Sequence, residues 1–125
     1  MSVERRDRLA KLVKLERRLK DFHETRRAGH IADANRAAEE QAEIASRIDH
    51  PDSLSALFPG VYYRGIEHAA ERQAKSLALA EEEAKHVAAS TVRAGRVEDK
   101  WRAAARVVDD KAAENERQEL IDRKR

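Results

Sequence analysis

Histidine and carboxylate side chains are the residues of this chain that could perform acid–base chemistry or hold a metal ion. The chain has five histidines, 24 aspartates and glutamates, and no cysteine. His23 and His30 are seven residues apart, about two helical turns, which is too far for both imidazoles to bind one metal ion. Acidic runs such as residues 81–83 are typical of a solvated helix surface. The pattern predicts no catalytic residue, no metal site and no cofactor.

Local motifs of known enzyme classes do not occur either. The sequence contains no G-x-x-x-x-G-K-[ST] phosphate loop, no G-x-G-x-x-G and no H-E-x-x-H, and these motifs place a nucleophile, a phosphate or a metal. The absence of cysteine also excludes disulfides and thiolate chemistry. We therefore expect a non-enzymatic protein that acts by binding partners.

Proline and glycine positions indicate how the chain folds. Both prolines, Pro51 and Pro59, and two of the four glycines, Gly60 and Gly65, lie within fifteen consecutive residues. The whole chain is 40% charged and only 4% aromatic, a composition typical of coiled coils. Disorder is the alternative at such a high charge, but the net charge is only +2 and the apolar residues are periodic.

We predict an all-α fold, a long two-helix antiparallel coiled-coil hairpin that forms a single domain over residues 1–125. The predicted elements are a helix over 3–49, a turn over 50–65 and a helix over 66–123. The second helix is the longer one, so its C-terminal end should extend beyond the first helix. A parallel homodimer of long helices is the alternative architecture, but the two prolines interrupt it.

Apolar residues at steps of three and four predict which faces pack. In the first helix the seam is predicted to shift register near Gly29, and in the second helix it holds one register. The predicted seam of the first helix is Leu9, Leu12, Leu15, Leu19 and Phe22, followed by Ile31, Ala34, Ala38, Gln41, Ala45 and Ile48. The predicted seam of the second is Gln73, Ala80, Val87, Ala94, Trp101, Val108 and Asn115, alternating with Ala70, Leu77, Ala84, Thr91, Glu98, Ala105 and Ala112.

Charge is segregated along the chain. Residues 1–27 carry ten basic and five acidic side chains, residues 31–99 carry eight and thirteen, and residues 100–125 carry eight and six. A hairpin brings the two termini to one end, which is then basic and favours an acidic partner. The basic residues predicted to bind it are Arg5, Arg6, Arg8, Lys11, Arg117, Arg123, Lys124 and Arg125.

Apolar and aromatic residues cluster at the predicted fold-back. The cluster is Leu54, Leu57, Phe58, Val61, Tyr62, Tyr63 and Ile66. Two interpretations remain open: a plug that closes the end of the hairpin, or an exposed patch that docks a partner. The residues predicted to bind a partner in the second case are Leu57, Phe58, Tyr62 and Tyr63.

Nucleic acid is the rival partner for the basic N-terminal segment, because dense arginine and lysine bind phosphates without sequence preference. Acidic residues dilute that charge, and no aromatic residue is interleaved to stack on bases. We therefore expect a protein partner. No segment is apolar enough to cross a membrane, and no signal peptide is recognisable, so we expect a cytoplasmic protein that is peripheral to the inner membrane only through its partners.

A basic leucine-bearing N-terminal helix, one mid-chain turn and a long charged C-terminal helix make up the chain, with Trp101–Val108 and Glu114–Asp122 near its end. Over nearly its whole length this pattern resembles the FliJ family of flagellar export proteins and the related YscO-type proteins of injectisomes, and the best local match is near the end. The resemblance implies a coiled-coil stalk of the flagellar (type III) protein export apparatus. Its paired termini would bind the hexameric export ATPase, its tip would bind the export gate, and export chaperones would be further partners. The alternative is a structural adaptor of another cytoplasmic complex.

Overall fold

Two long helices make up 90% of the chain in the computed structural model, which describes residues 2–125. Helix α1 covers Ser2–Ile48 and helix α2 covers Pro59–Arg123. The helices pack against one another, and no strand occurs within residues 2–125. These observations confirm the predicted all-α helical hairpin.

The connection is shorter than predicted, because α2 begins at Pro59 rather than at residue 66. Proline fits the first turn of a helix, where its missing N–H has no intrahelical partner. Gly65 lies inside α2, where a Cβ atom would lie 3.1 Å from Cδ1 of Ile44. This glycine therefore permits a close approach of the two helices, and the segment 59–65 is helix rather than turn.

Contacts divide the chain into two compact units, each built from a segment of both helices. The turn unit consists of residues 22–87, and the termini unit consists of residues 2–21 with 88–125. The prediction of a single domain stays a prediction.

Packing in the turn unit follows alternating three- and four-residue steps in one register on both helices, except that position 27 of α1 is exposed. No register shift occurs near Gly29, which is an exposed residue within α1. On α1 the buried or half-buried residues at these steps are His23, His30, Ala34, Ala37, Gln41, Ile44 and Ile48. On α2 they are Ala69, Gln73, Ser76, Ala80, Glu83 and Val87.

Packing in the termini unit uses the same alternation, with charged residues among the seam positions. On α1 the buried or half-buried residues at these steps are Ser2, Arg6, Leu9, Val13, Glu16 and Lys20. On α2 they are Ser90, Ala94, Val97, Trp101, Ala104 and Val108. Ser90 is fully buried, which shows how small the residues between the helices are.

Several predicted seam residues do not lie in the seam. In α1, Leu12, Leu15 and Phe22 are exposed, as is Ala45. In α2 one predicted line is correct from Gln73 to Val108, but the alternate line is displaced by one residue. As a result Leu77 and Thr91 are exposed, and Ala70, Ala84, Glu98 and Ala105 are only half-buried.

The displacement has a physical cause in residue size and polar pairing. Small side chains at Ala69, Ala80 and Ser90 occupy the centre of the contact, whereas a leucine at position 77 would hold the helices apart. Charged seam residues find partners on the opposite helix, as Glu16 does with Nε of Arg93 at 3.3 Å. No buried side-chain nitrogen or oxygen within residues 2–125 lacks a hydrogen-bond partner. The row with the most leucine is therefore not the row that packs.

The C-terminal part of α2 extends beyond the region where it is packed. Residues 109–125 are all exposed, and Val108 is the last half-buried residue. The predicted seam positions Ala112 and Asn115 are therefore wrong. The predicted extension of the second helix agrees with this exposure. We call residues 109–122 the overhang.

Candidate docking surfaces

Five large apolar side chains are exposed where the chain folds back, and we call them the tip surface: Leu54, Leu57, Phe58, Val61 and Tyr63. Their exposed fractions range from 55% to 72%. Tyr62 and Ile66, from the same predicted cluster, are half-buried. Three of the four residues predicted to bind a partner here, Leu57, Phe58 and Tyr63, are therefore accessible.

Hydrogen bonds hold the tip surface in place. The hydroxyls of Ser53 and Ser55 donate to the carbonyl oxygen of Ile48 at 3.3 and 2.7 Å, which satisfies an acceptor at the end of α1. The backbone N–H of Leu54 donates to the Tyr62 hydroxyl at 3.2 Å. The N–H of Phe58 donates to the Leu54 carbonyl at 2.8 Å.

The two interpretations of the aromatic cluster thus apply to different residues. Tyr62 matches the plug interpretation, because its hydroxyl accepts a hydrogen bond from Leu54 and so joins the connection to α2. Leu57 and Phe58 are 72% and 56% exposed, so they match the second interpretation, an accessible patch. An ordered backbone that carries accessible apolar side chains has the properties of a docking site, because little entropy is lost on binding.

The predicted N-terminal basic residues are divided between two environments. Arg5, Arg8 and Lys11 are exposed, whereas Arg6 is half-buried and its Nε lies 3.3 Å from Oδ1 of Asp7. Arg6 is a seam residue, so its aliphatic stem packs while its guanidinium reaches the surface.

Two adjoining grooves lie on one face of the termini unit and share Arg5 and Lys100. One is lined by Arg5, Arg8, Leu9, Leu12 and Lys100, and the other by Ser2, Arg5, Lys100, Ala103, Ala104 and Val107. We call their exposed lining the basic groove: Arg5, Arg8, Leu12, Lys100, Ala103 and Val107. Lys100, Ala103 and Val107 were not among the predicted site residues, because only the pairing of the helices places them beside Arg5.

The C-terminal basic residues lie elsewhere. Arg117, Arg123, Lys124 and Arg125 are exposed, beyond the last half-buried residue of α2, and line neither groove. The structure therefore brings the N-terminal arginines together with Lys100, and not with the basic residues of the C-terminus.

A polar cluster lies in the seam of the turn unit, centred on Glu83. The Nδ1–H of His23 donates to Oε2 of Glu83 at 2.6 Å, and Nε of Arg26 forms an ion pair with Oε1 at 2.9 Å. The ring of His86 stacks on His23 with a centroid distance of 4.8 Å. The hydrogen bond from His23, followed by the charge of Arg26, lowers the pKa of Glu83 below its ordinary value, although burial opposes this.

Sequence patterns did not indicate this cluster, because Glu83 belongs to a run of three glutamates that resembles solvated surface. One carboxylate oxygen of Glu83 is hydrogen-bonded to His23 and the other is paired with Arg26, so the cluster is suited to hold the helices in register. Within residues 2–125, no group of three or more histidine, aspartate or glutamate side chains is arranged to hold a metal ion. No helix in the described range is long and apolar enough to cross a membrane.

Comparison with protein-family models, curated proteins and solved structures finds no match for this chain. The resemblance to the FliJ family therefore stays a prediction. The two docking surfaces, the tip surface and the basic groove, are defined by geometry and charge alone.

Proposed function

We propose that this chain is a non-enzymatic helical adaptor that binds protein partners, with the tip surface as a principal docking site. The observation that carries the proposal is the exposure of five large apolar side chains on an ordered backbone. Contiguous exposed apolar surface costs solubility, and it commonly marks a site that another protein covers. Aromatic anchors such as Phe58 and Tyr63 contribute most to such interfaces.

In its specific form, the proposal is a cytoplasmic stalk of the flagellar (type III) protein export apparatus. The sequence resemblance supports this form, with the hexameric export ATPase as the partner of the basic residues and the export gate as the partner of the tip surface. Export chaperones are further candidates. Arg5, Arg8 and Lys11 are exposed, so they are accessible to an acidic partner surface.

The ATPase assignment is tested by the rate of ATP hydrolysis and the assembly state of the export ATPase with and without the chain. We expect saturating chain to raise both the rate and the hexamer fraction. Arg5→Glu combined with Arg8→Glu should reduce that effect at least about tenfold if the two charges lie in the interface. An ATPase that is indifferent to saturating chain would remove the export assignment.

The tip assignment is tested by binding to the cytoplasmic part of the export gate. Leu57→Ser with Phe58→Ser should weaken binding at least about tenfold, because both apolar anchors are lost. Val92→Ser is the matched control, since Val92 is similarly exposed at 53% but lies outside the tip surface. Gate binding that is equally strong in the tip variant would exclude this surface.

Nucleic acid binding is separated from these assignments by salt dependence. A chain that binds DNA through its arginines should lose affinity steeply as salt rises. We expect no such binding, since no aromatic side chain lies within the basic groove to stack on bases.

A further inference from the structure

The basic groove is one end of a longer surface that combines leucine with positive charge. On α1, Arg5, Arg8, Leu12, Leu15 and Leu19 recur at steps of three and four, so they form one row along the helix. Leu12 and Leu15 are 43% and 52% exposed. This row is the most leucine-rich of α1, and it is not the row that packs on α2.

The facing row of α2 has the same character. Arg96, Lys100, Ala103 and Val107 also recur at steps of three and four, and all four are exposed. Neither row contains an acidic residue over these positions. Arg5, Arg8, Arg96 and Lys100 form no ion pair within residues 2–125. The surface therefore has four positive charges outside the described ion pairs, beside exposed leucines.

The overhang has the complementary character. Residues 109–122 carry six acidic and two basic side chains, and the basic residues Arg123, Lys124 and Arg125 follow them at the end of the chain. Every residue of 109–125 is exposed. Leu120 and Ile121 are 55% and 50% exposed. An isolated helical segment of this length is marginal in water without packing partners, so the overhang gains stability from a surface that covers it.

We propose that the basic groove binds the overhang of a second copy of this chain, and that the contact is reciprocal. The overhang is continuous with the rest of α2, so it cannot turn back onto the groove of its own chain. In a two-fold dimer each copy gives its overhang and receives the other, which closes the assembly at two chains. Acidic side chains then face arginine and lysine, while Leu120 and Ile121 cover Leu12 and Leu15.

Length and charge support a second copy as the occupant. The overhang spans about 21 Å at 1.5 Å per residue, and the α1 row from Arg5 to Leu19 spans about the same distance. The net charge of the overhang opposes that of the groove, and such complementarity favours one docking register over others. The inference goes beyond the proposed function, because it needs no protein other than the chain itself. An ATPase that binds Arg5 and Arg8 would compete with the overhang for the same residues.

The test is the molar mass of the purified full-length chain in sedimentation equilibrium over a wide range of protein concentration. We expect the mass to rise from 14.2 kDa to twice that value, and the dimer to weaken as salt rises. Leu15→Glu disrupts the leucine row of α1 that continues the basic groove, and Leu120→Arg disrupts the overhang. Each variant alone should associate at least about tenfold more weakly than the natural chain.

Mixing the two variants separates a reciprocal contact from other dimers. In an equimolar mixture the overhang of the Leu15→Glu chain meets the intact groove of the Leu120→Arg chain, so one contact of the two is restored. We expect the mixture to associate more strongly than either variant alone. Circular dichroism checks that both variants keep their helix content, since both substituted residues are exposed.

Matched controls place the substitution elsewhere. Leu77→Glu and Leu77→Arg introduce the same charges at a similarly exposed leucine of the turn unit, away from both rows, and they should leave the dimer unchanged. Phe58→Glu should also leave it unchanged. The proposal is overturned by a chain that stays monomeric, which leaves the groove to a different protein. A dimer that Phe58→Glu disrupts would also overturn it. So would an equimolar mixture of the two variants that associates no more strongly than either variant alone.

Discussion

Glu83 shows how one side chain is shaped by residues far away in sequence. Glu83 is 7% exposed, and its carboxylate accepts a hydrogen bond from His23 and pairs with the charge of Arg26, both about sixty residues earlier. Neither neighbour in the glutamate run is buried, so the sequence alone did not distinguish position 83 from positions 81 and 82. A buried carboxylate is tolerated only because both oxygens are matched by donors.

Protonation of Glu83 should destabilise the turn unit. Because its pKa is lowered in the folded state, its stabilising contribution is present above the ordinary pKa of 4.5 and is lost as the pH falls through the folded-state value. The measurement is the free energy of unfolding in urea as a function of pH. Glu83→Gln should remove this acid-dependent loss.

Glu82→Gln is the control for that experiment, because Glu82 is exposed and pairs only with Lys85 one turn away among the described contacts. It should retain the acid dependence of the natural chain. An identical pH profile for Glu83→Gln and the natural chain would contradict the assignment.

At the scale of the helices, two glycines distinguish the effect of helix propensity from the effect of packing between helices. Gly29 and Gly65 both lie inside helices of the turn unit. A Cβ at Gly29 would meet nothing within 4 Å, whereas one at Gly65 would lie 3.1 Å from Cδ1 of Ile44. Gly29 therefore costs helix stability without any packing benefit, and Gly65 permits close contact.

Alanine at the two glycines should have different effects. Gly29→Ala should raise the free energy of unfolding by about 0.5–1 kcal/mol, since alanine favours helix. Gly65→Ala should give a smaller gain or a loss, because the new methyl group crowds Ile44. Thermal and urea unfolding of both variants measure the difference, and equal gains would show that the helices do not approach closely at Gly65.

At the scale of the whole molecule, the antiparallel pairing rests on contacts between residues distant in sequence. In the turn unit, Nε2 of Gln41 donates to Oε1 of Gln73 at 2.7 Å, and Nη2 of Arg72 lies 2.7 Å from Oε2 of Glu40. Exposed ion pairs such as the second contribute little to stability. The glutamine pair lies at seam positions of both helices and is suited to fix their register.

The chain contains no cysteine, so this pairing is testable with two introduced thiols. Gln41→Cys with Gln73→Cys should be joined by a short bifunctional thiol reagent within one chain, giving a cross-linked species of about 14.2 kDa. Gln41→Cys with Glu71→Cys is the control, since Glu71 is exposed and on another face of α2. Cross-links formed only between chains would contradict the hairpin.

The sequence by itself determined the helices and the single fold-back. Helix propensity and the placement of proline are local properties, so they act before any tertiary contact forms. Sequence reasoning placed the end of α1 correctly to within one residue, and missed the start of α2 because Pro59 begins a helix instead of ending a turn.

Only the tertiary structure decided which faces pack and which surfaces remain. Each helix carries more than one partly apolar row, and the sequence of one helix alone does not determine which row is buried. The choice depends on the fit of small residues such as Ala69 and Ser90 and on polar pairs such as His23 with Glu83, both of which need the partner helix. The leucines left over on α1 border the basic groove, because close packing of two helices favours small side chains over large ones at the contact.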